Sequence, residues 1–406
     1  MPISFHKERL PNGLTILAEP DPAAHTAAVG FFVSTGARDE RPELMGVSHF
    51  LEHMMFKGTA RRSAEDVNRE FDDIGADYNA FTGHESTVYY AHVLPEFLPR
   101  AVDLLADMLR PALREEDFSV EKKVILEEIG MYEDRPQWRL QDFLLERYFG
   151  KHPLGFRVLG TAQSVGDLGV ASMRGYFQQR YSADNIIVAL AGKLDLDSLH
   201  RDLARLTAGW SAAEPRRRYD VPSPGAAQHA LTDARLTRHY LAVMSPGPSA
   251  QDPRRYAAAV LSDVLGAGEG SRLHWALTDP GLADEADFSH LPQDRVGSFM
   301  AYASCDPDRA AQVEKVLLDT LDAYAAGIDP AEIERAQNKL ATQATLKGEL
   351  PLGRMMNLGG QWTYLQEYVP LEQELERLMA VTPGQVRALL TEMPLAPRTI
   401  VRLGPR

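Results

Sequence analysis

His49, Glu52 and His53 stand at i, i+3 and i+4 within the run Gly46-Val47-Ser48-His49-Phe50-Leu51-Glu52-His53-Met54-Met55-Phe56-Lys57-Gly58-Thr59. On a helix, residues three and four apart share a face, so both imidazoles and the carboxylate project the same way. Two neutral imidazoles one turn apart can grip a divalent ion, and a carboxylate beside them can take a proton from water activated there. The order His-x-x-Glu-His inverts the His-Glu-x-x-His zinc motif. Apolar residues fill most of the run, which predicts a helix buried on most sides. Polar groups on such a helix are costly unless something satisfies them. A core helix whose histidines bond backbone carbonyls is the alternative that the pentad alone leaves open.

The elements that must position this helix follow from pattern. Asn12-Gly13 predicts a tight turn into a strand at 14–19, and Ala27-Ala28-Val29-Gly30-Phe31-Phe32-Val33 reads as a second, buried strand. Ser63 is the expected N-cap of a helix over 63–75, with Val67, Phe71 and Ile74 inward. Strand-like runs at 77–82 and 86–93 follow, joined by Gly83-His84-Glu85, and then an amphipathic helix over 99–109. A further helix is expected over 117–129, with Val124, Ile125 and Ile129 on one side. Glu121 and Glu128 lie two turns apart on that helix and face the same way. More helix runs to about Gly150, where His152-Pro153-Leu154-Gly155 breaks it. The run 186–192 reads as a buried strand and 195–206 as a closing helix.

The chain is 406 residues long, which predicts two domains of about 200 residues each. A hydrophobic fraction of 44% and a charged fraction of 25% are those of a soluble globular protein. No apolar run reaches spanning length and the first residues hold no signal-peptide core, so a cytoplasmic protein with no membrane partner is expected. One cysteine, Cys305, excludes an internal disulfide framework. A net charge of −14 argues against nucleic acid as a partner. Residues 211–227 are polar and proline-rich and carry three arginines, the composition of a solvated linker. The expected division is residues 1–212, a linker at 213–227, and residues 228–406. Beyond the linker the order of features repeats: strands at 239–244 and 298–304, helices at 254–265, 310–325, 330–346 and 384–391, and a last strand at 399–403. No His-x-x-Glu-His occurs there, so this half is read as a duplicated fold without the metal site.

Taken together, these features resemble the pitrilysin/insulinase family of zinc metallopeptidases, M16, and within it the short bacterial members similar to the processing peptidase β subunit. The resemblance spans essentially the whole chain. It rests on the pentad, on Glu128 at 75 residues beyond His53 within Glu121-Lys-Lys-Val-Ile-Leu-Glu-Glu128, and on several flanking runs. Those runs are Asn79-Ala80-Phe81-Thr82, Glu85-Ser86-Thr87-Val88-Tyr89-Tyr90, His152-Pro153-Leu154-Gly155 and Gly270-Ser271-Arg272-Leu273. The resemblance implies an α+β fold of two homologous domains, each a mostly antiparallel sheet with helices on one face, forming a clam-shell chamber with a second chain. It implies one Zn2+ per chain held by His49, His53 and Glu128, with Glu52 as general base and Glu121 supporting a ligand from behind. Glu127, adjacent to Glu128 but turned about 100° away, is assigned to the surface. Asn79, Ala80 and Phe81 are implied on an edge strand that pairs with a peptide substrate's backbone.

The second half departs from the family pattern. Gly281-Leu282-Ala283-Asp284 stands where many members end in Tyr, and no Arg and Tyr pair for the scissile carbonyl aligns beyond the candidates Arg272 and Tyr302. The expected activity is a zinc endopeptidase acting on unfolded peptides or short polypeptides. The expected partner is an identical chain or a zinc-free homologue that supplies the missing groups. The alternatives are a non-catalytic assembly subunit of the same fold and a peptide-binding module with structural zinc.

Overall fold

The computed structural model describes residues 3–405. The first strands are β1 (His6–Arg9), β2 (Thr15–Pro20) and β3 (Ala27–Val33). Helices α1 (Val47–Met55) and α2 (Ala64–Asp73) precede the hairpin of β4 (Asp77–Thr82) and β5 (Thr87–Val93). Five helices follow: α3 (Leu98–Met108), α4 (Glu115–Glu133), α5 (Pro136–Phe149), α6 (Ala162–Asp167) and α7 (Val170–Arg180). Strand β6 (Ile186–Gly192) and helix α8 (Leu196–Leu206) end this half. Then come β7 (Ala227–Thr232), β8 (His239–Gly247), α9 (Arg255–Gly266), β9 (Glu285–Gln293) and β10 (Val296–Cys305). Helices α10 (Ala310–Tyr324), α11 (Pro330–Glu349), α12 (Pro351–Leu365), α13 (Leu371–Met379) and α14 (Pro383–Glu392) lead to β11 (Thr399–Gly404).

The first sheet has the order β1-β2-β6-β3-β5-β4. Only the β2/β6 pair is parallel; every other neighbour is antiparallel. The second sheet, β7-β11-β8-β10-β9, repeats that pattern with β7/β11 as its parallel pair. Strand for strand, β7, β11, β8, β10 and β9 correspond to β2, β6, β3, β5 and β4. Both halves are therefore the α+β arrangement expected of a duplicated fold.

The contacts group into two compact units that are not consecutive halves. One comprises residues up to 131 together with 156–218 and 346–368; the other comprises 132–155, 219–345 and the residues from 369 on. The reason lies in the sheet faces. In β3, Ala27, Val29, Phe31 and Val33 face the main helical layer, while Ala28 and Phe32 face α12 with Leu17, Val88, Ile187 and Ala189. Helices thus cover both faces of the first sheet, beyond the single face expected, and the central strands read as unbroken apolar runs for that reason. On the second sheet α5 covers the equivalent face, with Leu140, Leu144 and Tyr148 against Ala242, Met244, Val401 and Leu403.

The sequence reading passes over α6, α7 and α13, and over three elements with weaker local signals. β7 begins at Ala227, the last residue of the 211–227 segment. β9 mixes polar and apolar residues and contains Pro292. α12 contains Gly353, Gly359 and Gly360, each poor in helix propensity. Gly359 is there because Phe32 lies on it: a Cβ would come within 2.2 Å of the ring. The segment 211–226 is irregular, as expected, but Arg217 is not solvated. Its guanidinium is bound to Asp39, at 3.0 Å from Nε and 2.8 Å from Nη2.

Candidate metal centre

α1 is held by its apolar side. Val47, Phe50, Leu51, Met54 and Met55 are at most 1% exposed. The opposite face presents His49, Glu52 and His53. The helix starts at Gly46, whose φ of 93° is the left-handed region, and a Cβ there would meet the Leu159 carbonyl at 2.6 Å. Glu40, fully buried, caps the start: its two carboxylate oxygens accept the Gly46 and Ser48 N–H groups, each at 2.7 Å.

α4 brings the remaining carboxylates. Its buried row is Phe118, Glu121, Ile125 and Ile129, so Glu121 projects inward with the apolar residues. Val124, expected beside Ile125 on the inner side, is 46% exposed because one residue along a helix turns it about 100° away. Glu127 is exposed, as expected. Glu128 sits at the rim of the buried row, half-buried.

Three donor atoms converge. Glu128 Oε2 lies 3.8 Å from His49 Nε2 and 3.5 Å from His53 Nε2, and one ligand atom from each of the three lies within 4.8 Å of the others. Donors bound tetrahedrally at about 2.0–2.1 Å to zinc lie about 3.3 Å apart, so the triad is close to the right size for such an ion. It is the one group of three or more such side chains with this spacing among the described residues. Behind it, Glu121 is 3% exposed and fully engaged: His53 Nδ1–H donates to Oε1 at 2.8 Å, and Lys57 Nζ sits 2.6 Å from Oε2. That bond leaves His53 Nε2 turned toward Glu128, the tautomer a ligand needs.

The electrostatics suit cation binding. Burial, reinforced by His53, pushes His49 down to about 3, so it is neutral and able to ligate at neutral pH. Burial also lowers His53, but the Glu121 hydrogen bond and the charges of Glu128 and Glu52 outweigh it and hold the imidazolium above its usual range. Burial raises Glu128 and Glu52; for Glu52, a hydrogen bond from Thr82 opposes the rise. A metal dication supplies the positive charge that these crowded carboxylates call for.

Asn79, Ala80 and Phe81 lie on β4, the outermost strand of the sheet. Alternation turns Tyr78, Ala80 and Thr82 toward the helices and leaves Asn79 and Phe81 exposed. Asn79 Oδ1 accepts the Ala80 N–H at 2.8 Å. Arg272 and Tyr302 belong to the second unit, and Arg272 is engaged by Glu332 at 2.6 Å, a structural pairing. Three groups escaped the sequence reading: Lys57, Thr82 and Glu40. Lys57 stands four residues after His53, so its spacing was a usable signal. Glu40 caps a helix that starts six residues after it, and Thr82 arrives through a tertiary contact.

Comparison with known proteins gives a consistent picture. The family description Insulinase (Peptidase family M16) matches residues 15–162, and Peptidase M16 inactive domain matches residues 167–340. An uncharacterized zinc protease of Mycobacterium bovis is 37% identical over 94% of this chain and 88% of its own length. The uncharacterized zinc protease YmxG of Bacillus subtilis is 32% identical over 94% of each. The crystal structure of a protease from Helicobacter pylori superposes with a TM-score of 0.93 over the whole of both chains, at 19% identity, which speaks for the fold.

Proposed function

This chain belongs to the insulinase family of peptidases, M16, and on that premise we propose that it is a zinc endopeptidase cutting unfolded peptides or short polypeptides. The observation that carries the reading is the convergence of His49 Nε2, His53 Nε2 and Glu128 Oε2, with Glu52 on the same helix face. In this reading those three side chains hold one zinc ion. When bound, zinc supplies Lewis acidity that polarises the scissile carbonyl and lowers the pKa of an attacking water. Glu52 takes that water's proton and hands it to the leaving amine, and burial raises its carboxyl above the usual range, which makes it the stronger base. Glu121 holds His53 in orientation, with Lys57 neutralising its second oxygen. The free edge of β4, at Asn79 to Phe81, takes the substrate backbone as an added strand, which suits extended rather than folded substrates.

The test is cleavage of a quenched, unstructured peptide by the purified, zinc-loaded chain, with Glu52→Gln as the control. Activity in the parent and a loss of about 10²–10⁴-fold in the variant, at unchanged zinc content, is the expected result. Zinc-loaded protein that cuts none of a broad peptide set would sink the self-sufficient reading. The remaining candidate would then be one half of an enzyme completed by a zinc-free homologue, and mixing with such a partner would be the next measurement.

A further inference from the structure

Thr82 is the last residue of β4, and its hydroxyl donates to Glu52 Oε2 at 2.6 Å. No other side-chain hydroxyl is hydrogen-bonded to the three helix residues His49, Glu52 and His53 among the described residues. What keeps Thr82 there is a closed circuit of buried polar contacts that avoids the metal ligands. The hairpin tip beyond Thr82 is bound to the loop at 36–40: Ala37 N–H donates to the Gly83 carbonyl at 3.2 Å and Arg38 N–H to the His84 carbonyl at 2.7 Å. The Arg38 guanidinium pairs with Glu85, with both side chains at most 2% exposed. Thr87, opposite Thr82 across the hairpin, donates its hydroxyl to the Thr35 carbonyl at 3.0 Å. Two residues beyond Arg38, Glu40 accepts the first N–H groups of α1. The path therefore runs from α1 through Glu40, Arg38 and Glu85 to β4, and returns through Thr82 to Glu52 on α1.

The geometry points to Thr82 as a positioning residue: its hydroxyl fixes Glu52 through Oε2, reserves Oε1 for proton transfer, and ties the base to the strand edge that receives substrate. This rests on the peptidase reading above and adds to it a coupling between strand and base. The groups sit within one hydrogen-bond length, and a misplacement of about 1 Å in such a constellation costs about 100-fold in rate. Because Thr82 faces the helices and not the free edge, losing its hydroxyl leaves backbone pairing with the substrate intact.

The experiment compares Thr82→Val and Thr82→Ser with the parent as zinc-loaded full-length chains. Peptide turnover, zinc content, thermal unfolding and a crystal structure of each are measured. In Thr82→Val, kcat is expected to fall about 10- to 100-fold with KM unchanged within a factor of about two. Zinc content and the unfolding temperature should hold, and Glu52 should leave its parental rotamer. Thr82→Ser, which keeps the hydroxyl, should restore both kcat and rotamer. Parental kcat or an unmoved Glu52 in Thr82→Val overturns the proposal, as does a serine variant as impaired as the valine one, since packing would then be the cause. A parent that cuts no peptide defeats the peptidase reading separately, and the Glu52 rotamer in the two variant structures still decides the positioning claim.

Discussion

Glu121 shows how one side chain sets the behaviour of its neighbours. It is buried on the inner row of α4, hydrogen-bonded to His53 through one oxygen and ion-paired with Lys57 through the other. Removing it leaves an imidazole without an orienting partner and a lysine without a counter-charge. Glu121→Ala is expected to weaken zinc binding by about 10- to 100-fold, measured by competition with a chromogenic chelator. Affinity equal to the parent would mean that the ligands orient themselves. In the proposed centre His49 is one of three donors, so the zinc stoichiometry of His49→Ala after dialysis should fall toward zero. The spacing of the pentad and of Glu128 singles out His49, His53 and Glu128, and the fold brings their ligand atoms within 4.8 Å of one another. That Glu121 is engaged by two partners was not legible, because an acidic residue early in a helix is equally at home in solvent.

At the scale of the element, α1 depends on its N-terminus. Burial pushes the Glu40 carboxyl from 4.5 up to about 8, against the opposing pull of the Ser48 and Gly46 N–H groups. A folded-state value above the unfolded one means that the folded chain retains a proton which the unfolded chain has released. The associated stability is complete below the unfolded value and is lost as the pH rises through the folded one. Relative to Glu40→Gln, which cannot ionise, the parent should therefore lose unfolding temperature between pH 4.5 and about pH 8. Parallel profiles for the two proteins would contradict this. α12 supplies a second case. Trp362 is buried on the far face of the first sheet, with Phe5 beside it and the Lys7 ammonium 4.5 Å from its ring. Trp362→Ala is expected to cost about 3–5 kcal/mol in denaturant unfolding, since the ring fills a site walled by sheet residues.

For the whole molecule, the exchange of segments between units has a consequence for dissection. A fragment ending at residue 218 contains His49, His53 and Glu128 and every strand of the first sheet but lacks α12. It would leave Leu17, Phe32, Val88 and Ile187 facing water. Such a fragment should fail to unfold cooperatively as a monomer, and a peptide spanning 346–368 should restore a transition; circular dichroism during heating reads both. A fragment that melts as sharply as the full chain would show that α12 is dispensable. Among the described residues no helix is long and apolar enough to cross a membrane. The second sheet repeats five of the first sheet's six strands, all but β1, while among the described residues the metal-sized cluster lies in the first unit.

What the sequence determined by itself is whatever local periodicity can encode. The pentad on a buried helix, the two-turn spacing of Glu121 and Glu128, the Asn12-Gly13 hairpin and the apolar runs of β3 and β6 are all settled by neighbours within a few residues. Membership of the family was readable for the same reason, because its motifs are short and lie on single elements. What only the tertiary structure decided are contacts between segments remote in the chain. Thr82 meets Glu52, thirty residues away, because β4 lies beside α1. Arg217 leaves the linker to bind Asp39. α12, poor in intrinsic propensity, is a helix because the sheet beneath it supplies the burial that its own glycines cannot. None of those pairings has a local signature, since each partner is chemically content alone and becomes specific only when the other arrives.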